Sequence, residues 1–179
     1  MPDSTLRPYI SAEELISRIQ KYHPEDDMSL VERSYAYAEK AHANQVRKSG
    51  DPYFSHPVAV AVILTDLMLD ATTIAAGLLH DCAKSMPLEE MRELVVKNLP
   101  DMDDQELDTR AILHAPAGMV MARDVFGVRD ASILSAIRKH TVGDGQMSPM
   151  DALIYVADFI EPGREMFPGL DKARKLAEK

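Results

Sequence analysis

A single cysteine, Cys82, is the only thiol in the 179-residue sequence. That excludes an intrachain disulfide and fits a reducing cytoplasm. No apolar run reaches the roughly 18 residues expected of a membrane span, and the polar stretch Met1–Tyr9 lacks a basic-then-apolar signal pattern, so neither membrane insertion nor secretion is expected. Basic residues are in deficit: 20 Lys and Arg stand against 29 Asp and Glu, for a net charge of −9. Nucleic-acid binding, which calls for a basic surface, is therefore not expected. A small phosphorylated ligand remains compatible, because bound metal can supply local positive charge. No strand-like alternation, internal repeat, low-complexity tract or compact zinc-finger spacing occurs.

What is present is helical patterning, and it predicts an all-α fold. At this length, with 46% apolar residues, one domain with a sizeable core is expected. Ser11 with Glu14 reads as a capping box, and Ser29 with Glu32 as another opening a helix to about Val46. Gly50-Asp51-Pro52 marks a loop. Ser55 is expected to cap a helix to about Leu69 with His56 and Pro57 in its first turn. Asp70 or Ala71 opens a segment from Thr72 to about Lys84 that is apolar until His80, hence buried. Pro87 starts a short helix, and 101–104 is an acidic break read as a solvated helix start. His114 is expected to end one segment and Pro116 to begin the next, up to about Phe126 and Gly127. Further helices are expected at Ala131–His140 behind Asp130, at Ser148-Pro149 to Ile160, and at Leu170–Ala177.

Four of the six histidines, with two aspartates, stand where polar groups are costly. His80 and Asp81 follow an apolar helix, His114 and His140 sit at segment ends, and Asp158 lies inside the apolar run Ala152–Ile160. Singly, each histidine reads as a satisfied core or cap residue, and Asp158 as a salt-bridge partner. Together with His56 they form a set of imidazoles and carboxylates suited to zinc, iron or manganese. Their wide spacing is that of ligands from separate helices of a bundle. Lys84 lies near one helix face with His80 and Asp81; it could hold a phosphate, or simply favour the helix dipole. His42 reads as a packing residue near the Arg47 loop, His23 as a surface residue, and Cys82 as buried and unreactive.

Two sets of segments resemble known families. Leu113-His114-Ala115-Pro116-Ala117-Gly118, Ala136-Ile137-Arg138-Lys139-His140-Thr141 and Ile154–Arg164, followed by Phe167-Pro168-Gly169, resemble YqeK-type HD proteins, the symmetrical diadenosine tetraphosphate hydrolases of bacteria. His80-Asp81-Cys82-Ala83-Lys84 fits them too. From about Glu13 to His80, by contrast, Ala41-His42, Arg47–Ala61 and Thr73–Asp81 resemble the hydrolase domain of RelA/SpoT-type alarmone enzymes. The chain is thus similar to a mosaic, 1–81 from one pattern and 82–179 from the other, within one HD-domain helical bundle. YqeK-type chains carry further helical residues beyond the position of Lys179.

The resemblance implies a metal-dependent nucleotide phosphohydrolase. His56, His80, Asp81 and Asp158 would hold one ion, and Asp81 would bridge to a second completed by His114 and His140. The ions would be iron, with manganese or cobalt as substitutes. Lys84 and Arg164 would neutralise a polyphosphate chain, the latter through its planar fork, so that Asp81, Lys84 and Arg164 carry the chemistry. Arg47, Lys48, Ser49 and Gly50 would hold the nucleotide. The implied reaction cleaves diadenosine tetraphosphate into two ADP. One departure bears on the alternative, removal of pyrophosphate from ppGpp: the Glu-Asp pair that alarmone hydrolases carry after His-Asp is Lys84-Ser85 here. A metal-stabilised nucleotide-binding scaffold without turnover is the third reading. A homodimer is expected by resemblance alone.

Overall fold

The computed structural model describes residues 9–177; most of the polar Met1–Tyr9 stretch, and with it the reading of an absent signal, lies outside the described residues. The described chain is all-α. Its helices are α1 Ala12–Gln20, α2 Ser29–Ala41, α3 Ser55–Asp66, α4 Ala71–Leu79, α5 Leu88–Asn98, α6 Asp104–Asp108, α7 Arg110–Asp124, α8 Ala131–Lys139, α9 Pro149–Ile160 and α10 Leu170–Ala177. An isolated antiparallel bridge, Val46 with Pro52, closes the loop between α2 and α3. No described helix is long and apolar enough to cross a membrane.

Capping chemistry sets most of the starts. Ser11 accepts from the Glu14 amide, Asp70 from Thr72 and Thr73, and Asp130 from Ser132 and Ile133. Ser148 and Asp151 form a reciprocal capping box with Pro149 in the first turn. Two expected caps differ. Ser29 and Ser55 are each the first helical residue; Asp27 Oδ1 accepts the Ser29 amide at 2.9 Å, and Phe54 precedes α3 without a side-chain cap.

Four boundaries also differ from the sequence reading. α2 ends at Ala41 rather than Val46, because Gln45 and Arg47 turn their backbones to Tyr53 and Asp51 across the bridge, at 2.8 Å each. α3 stops at Asp66, where Met68 takes a positive φ of 55°. α4 stops at Leu79, and 80–85 form turns with Cys82 N donating to Leu79 O and Lys84 N to Asp81 O. α7 runs unbroken through Pro116. That proline removes one amide donor, and the burial of Leu113 through Ala122 holds the helix across the gap.

α4 is the axis of the bundle. All its residues except Thr72 are buried, and α2, α3, α7 and α8 pack around it. A helix apolar on every side can only be stable in such a place. Its last turn delivers His80 and Asp81 to the middle of the molecule. Gly118 lets α7 pass closely: a Cβ there would lie 3.2 Å from the His80 carbonyl oxygen and 3.6 Å from Cys82 Sγ.

Candidate metal centre

All six candidate ligands converge, each from a different place in the chain. His56 comes from the first turn of α3, His80 from the C-cap of α4, and Asp81 from the turn after it. His114 comes from α7, His140 from the C-cap of α8 and Asp158 from the last turns of α9. All six are buried. The wide sequence spacing thus reflects a bundle that draws five helices to one point.

Asp81 divides this cluster in two. Its Oδ2 faces His56 Nε2 at 3.4 Å and His80 Nε2 at 3.7 Å. Asp158 Oδ1 closes that side, 3.1 Å from His56 Nε2 and 3.9 Å from His80 Nε2. Asp81 Oδ1 faces the other way, 3.0 Å from His114 Nε2 and 3.4 Å from His140 Nε2. The two members of each histidine pair stand 3.1 Å (His56–His80) and 3.2 Å (His114–His140) apart at Nε2. His56, His80 and Asp158 form one group able to hold an ion, and His80, Asp81 and His140 another.

The donor chemistry fits a cation. His80 Nδ1 donates to the Gly77 carbonyl and His140 Nδ1 to the Ile137 carbonyl, both at 2.7 Å. In a neutral ring that leaves Nε2 as a lone pair aimed at the cluster. Asp81 Oδ1 and Asp158 Oδ1 are buried and make no hydrogen bond. For these two rings acceptor therefore faces acceptor, His140 Nε2 to Asp81 Oδ1 at 3.4 Å and His80 Nε2 to Asp158 Oδ1 at 3.9 Å, an arrangement that a shared cation satisfies and that is costly without one. The protonation preferences differ between the rings. Burial drives His80 down to about 3. Burial also opposes charge on His56, but the Asp158, Asp81 and Glu161 carboxylates prevail and raise it to about 10. Burial works against ionised Asp81 as well, yet His80, His114, His140 and His56 hold it well below the ordinary carboxylate range.

The rim is cationic and aromatic. Lys84 Nζ donates to Asp81 Oδ2 at 3.0 Å and lies 5.2 Å from the centre of the Tyr53 ring. The Tyr53 hydroxyl donates to the same oxygen at 2.7 Å, and Arg164 Nη2 reaches Asp158 Oδ2 at 3.3 Å. A cavity of about 420 Å³ over His114, His140 and Asp158 is bounded by Lys84, Arg110 and Arg164. A second, of about 600 Å³, is also bounded by Lys84 and Arg164 and extends to Arg47, Lys48, Ser49 and Tyr53.

The Arg47–Gly50 loop lies beside this second cavity, but its side chains are largely engaged within the protein. Arg47 Nη2 pairs with Glu161 Oε1 and donates to the Gly163 carbonyl at 2.7 Å. Lys48 pairs with Glu165 at 2.8 Å, in the open. Ser49 Oγ donates to Asp51, and Gly50 closes the turn with a φ of 91°. Sequence reasoning passed over Tyr53 and Glu161. Glu161 had a signal: an acid directly after the apolar run of α9 and before Pro162. Tyr53 had none beyond its nearness to His56. Cys82 is buried, as expected, and burial with the neighbouring Asp81 pushes its thiol up to about 12. His42 is buried against Tyr53 and pairs with Gln45, and His23 is partly exposed beside Asp26.

The HD-domain family profile matches residues 34–102. Relatives of both expected kinds are found. The symmetrical bis(5'-nucleosyl)-tetraphosphatase of Bacillus subtilis is 45% identical over 104 residues, 58% of this chain and 54% of that protein. The GTP pyrophosphokinase rsh of Brucella ovis is 54% identical over 68 residues, 38% of this chain and 9% of that one. The bifunctional (p)ppGpp synthase/hydrolase RelA of Mycobacterium tuberculosis is 46% identical over 78 residues, 10% of its length. The chain therefore spans about half of the tetraphosphatase (54%) and about a tenth of the alarmone enzymes (9–10%). Among solved structures, a protein of Clostridium acetobutylicum, described as a predicted HD superfamily hydrolase involved in NAD metabolism, superposes with a TM-score of 0.69. It is 33% identical, with 83% of this chain and 77% of that chain covered. With a histidine–aspartate centre at the end of its buried axial helix, and likeness of that extent to a solved HD protein, the chain belongs to the HD superfamily.

Proposed function

We propose that the protein is a metal-dependent nucleotide phosphohydrolase that cleaves diadenosine tetraphosphate into two ADP. The observation that carries this reading is the division of the Asp81 carboxylate between two histidine groups. His56, His80, Asp81 and Asp158 would hold one ion, and Asp81, His114 and His140 a second. Iron is the proposed ion, with manganese or cobalt as substitutes. Such a pair supplies Lewis-acid polarisation of a phosphoryl oxygen and lowers the pKa of water.

The chain's own groups do the rest. Lys84 and Arg164 border both cavities, so a phosphate chain lying across them meets a cation on each side. Arg110 extends that positive rim. Tyr53 holds Asp81 Oδ2 by its hydroxyl. The two cavities share Lys84 and Arg164, which supports a polyphosphate chain as the ligand, and the Bacillus subtilis relative bears the name of such an activity.

The alarmone reading has one observation in its favour: Lys48 and Ser49 border the larger cavity, and alarmone enzymes are among the relatives. Against it stands Lys84, whose ammonium lies 3.0 Å from Asp81 at a position where that reading needs an acid. Initial rates decide, measured anaerobically with iron, manganese or cobalt on diadenosine tetraphosphate and ppGpp at equal concentration. ADP as the product, formed faster than pyrophosphate from ppGpp, is expected. Faster ppGpp hydrolysis would overturn the assignment, and binding without turnover of either would leave a nucleotide-binding scaffold.

A further inference from the structure

We propose that Glu161, clamped by Arg47, is the positioning carboxylate of His56, and that Arg47 acts through this clamp rather than by touching substrate. The proposal rests on the metal-centre reading above and adds to it a buried ion pair outside the ligand set.

Two of the histidines show what an imidazole ligand needs behind it. His80 and His140 close helices, and each donates Nδ1–H to a carbonyl three residues earlier at 2.7 Å. Helix C-termini have spare carbonyls for this use. His56 sits in the first turn of α3, where the backbone offers spare amides instead. The carbonyl three residues before it, on Tyr53, already receives the His56 amide at 2.9 Å. His56 therefore has to find a side-chain acceptor. Glu161 Oε1 faces its Nδ1 at 3.4 Å, and Nδ1 has no hydrogen-bond partner. A shift of a few tenths of an ångström makes this a full N–H···O bond. A carboxylate behind a metal-bound imidazole fixes the tautomer and raises ligand basicity.

Glu161 is itself fully buried and held by donors on both carboxylate oxygens. Arg47 Nη2 bonds its Oε1, the Gly163 amide donates to its Oε2 at 2.7 Å, and Arg47 also reaches the Gly163 carbonyl. The turn after α9 is shaped to this pair. A Cβ on Gly163 would stand 3.1 Å from both Arg47 Nη1 and Glu161 Oε2. The clamp joins the loop before α3 to the turn after α9, and so it couples the segment carrying His56 to the one carrying Asp158.

The test titrates metal-depleted protein with Co²⁺ under anaerobic conditions and follows the visible ligand-field spectrum, with metal per chain checked by elemental analysis. Parent, Glu161→Gln, Glu161→Ala, Arg47→Ala and Gly163→Ala are compared, and circular dichroism verifies folding. Glu161→Ala and Arg47→Ala should weaken Co²⁺ binding by about 10–100-fold, the usual effect of losing a group behind a metal ligand. Glu161→Gln should recover part of the loss, since its amide oxygen still accepts from Nδ1–H. Gly163→Ala should move in the same direction as Glu161→Ala. At saturating Co²⁺ the KM of Arg47→Ala should equal the parent's. Parent-like Co²⁺ affinity in Glu161→Ala and Arg47→Ala overturns this proposal and leaves the metal centre standing. So does an Arg47→Ala protein with normal Co²⁺ affinity and a raised KM, which makes Arg47 a substrate contact. A folded parent that takes up no Co²⁺ removes the metal centre and the clamp's role together.

Discussion

Tyr53 and Asp81 are joined by a hydroxyl–carboxylate bond of 2.7 Å on the oxygen that faces His56 and His80. Burial and the adjacent Asp81 charge push the phenol far above its ordinary range, so it stays a donor at any working pH. Tyr53→Phe removes only that donor. The expected result is a fall in kcat of about tenfold, the equivalent of one hydrogen bond to a charged group at about 1.5 kcal/mol. Turnover at the parent rate, measured at saturating metal, would show that the hydroxyl does not orient Asp81.

The division of Asp81 between two groups ranks the ligands. Asp81→Ala touches both sides and is expected to abolish turnover. His114→Ala or His140→Ala should reduce metal from about two ions per chain to about one while leaving the His56–His80–Asp158 side loaded. Elemental analysis and rate measurements on the same preparations check this. Full activity in both histidine variants would refute a two-ion centre.

Chelation should lower thermal stability, because a ligand bound only by the folded state stabilises it. At free metal about a hundredfold above its dissociation constant the gain is about 2.7 kcal/mol. For a chain of this size that corresponds to roughly 5–11 °C in Tm. Scanning calorimetry with and without chelator gives the shift; superimposable transitions would mean that no ion is held.

Gly118→Ala probes the close passage of α7 over the histidine–aspartate turn. The added methyl would sit 3.2 Å from the His80 carbonyl, so α7 has to move outward. A cost of about 1–3 kcal/mol is expected. His114, one turn earlier on the same helix, should move with it, and the second ion should bind more weakly. Unchanged Tm together with unchanged metal content would show that the contact is loose.

Asp151 offers a pH test away from the metal centre. Burial opposes its ionisation, but the Ser148 amide at 2.8 Å and Lys139 Nζ at 3.1 Å outweigh burial and lower its pKa. A carboxylate depressed in the folded state contributes stability above its unfolded pKa and loses it as pH falls through the folded value. Asp151→Asn in chelated protein should therefore cost about 1 kcal/mol above about pH 5, and the difference should shrink below about pH 4. A difference independent of pH would mean that the charge contributes nothing.

The candidate ligands stood out in the sequence because His80-Asp81 ends an apolar run and Asp158 interrupts one, whereas His56, His114 and His140 stood out only as members of the set. The helices were legible through caps such as Asp70, Asp130 and Ser148. The partner of a side chain is a different matter, since it depends on which distant segments meet. Arg47 reads locally as a loop cation free for a nucleotide, and only the approach of the α9–α10 turn shows it paired with Glu161. Pro116 reads as a helix start, and only burial on both sides carries α7 through it. The end of α2 at Ala41 likewise follows from pairing between residues on either side of the Gly50 turn, which helical periodicity does not report.

The helices also bear on the order in which ligands arrive. α4 and α8 both point their C-terminal ends at the cluster through His80 and His140, whose rings are 4.9 Å apart, while α3 brings His56 from its N-terminal turn. Helix C-termini carry partial negative charge, and the Asp81 and Asp158 carboxylates add to it. On the proposed function, a site floor of this charge would disfavour phosphate until cations cover it, while Lys84 and Arg164 would attract phosphate at the rim. Metal first and nucleotide second is then the expected order, and nucleotide affinity should climb with metal occupancy along a single curve.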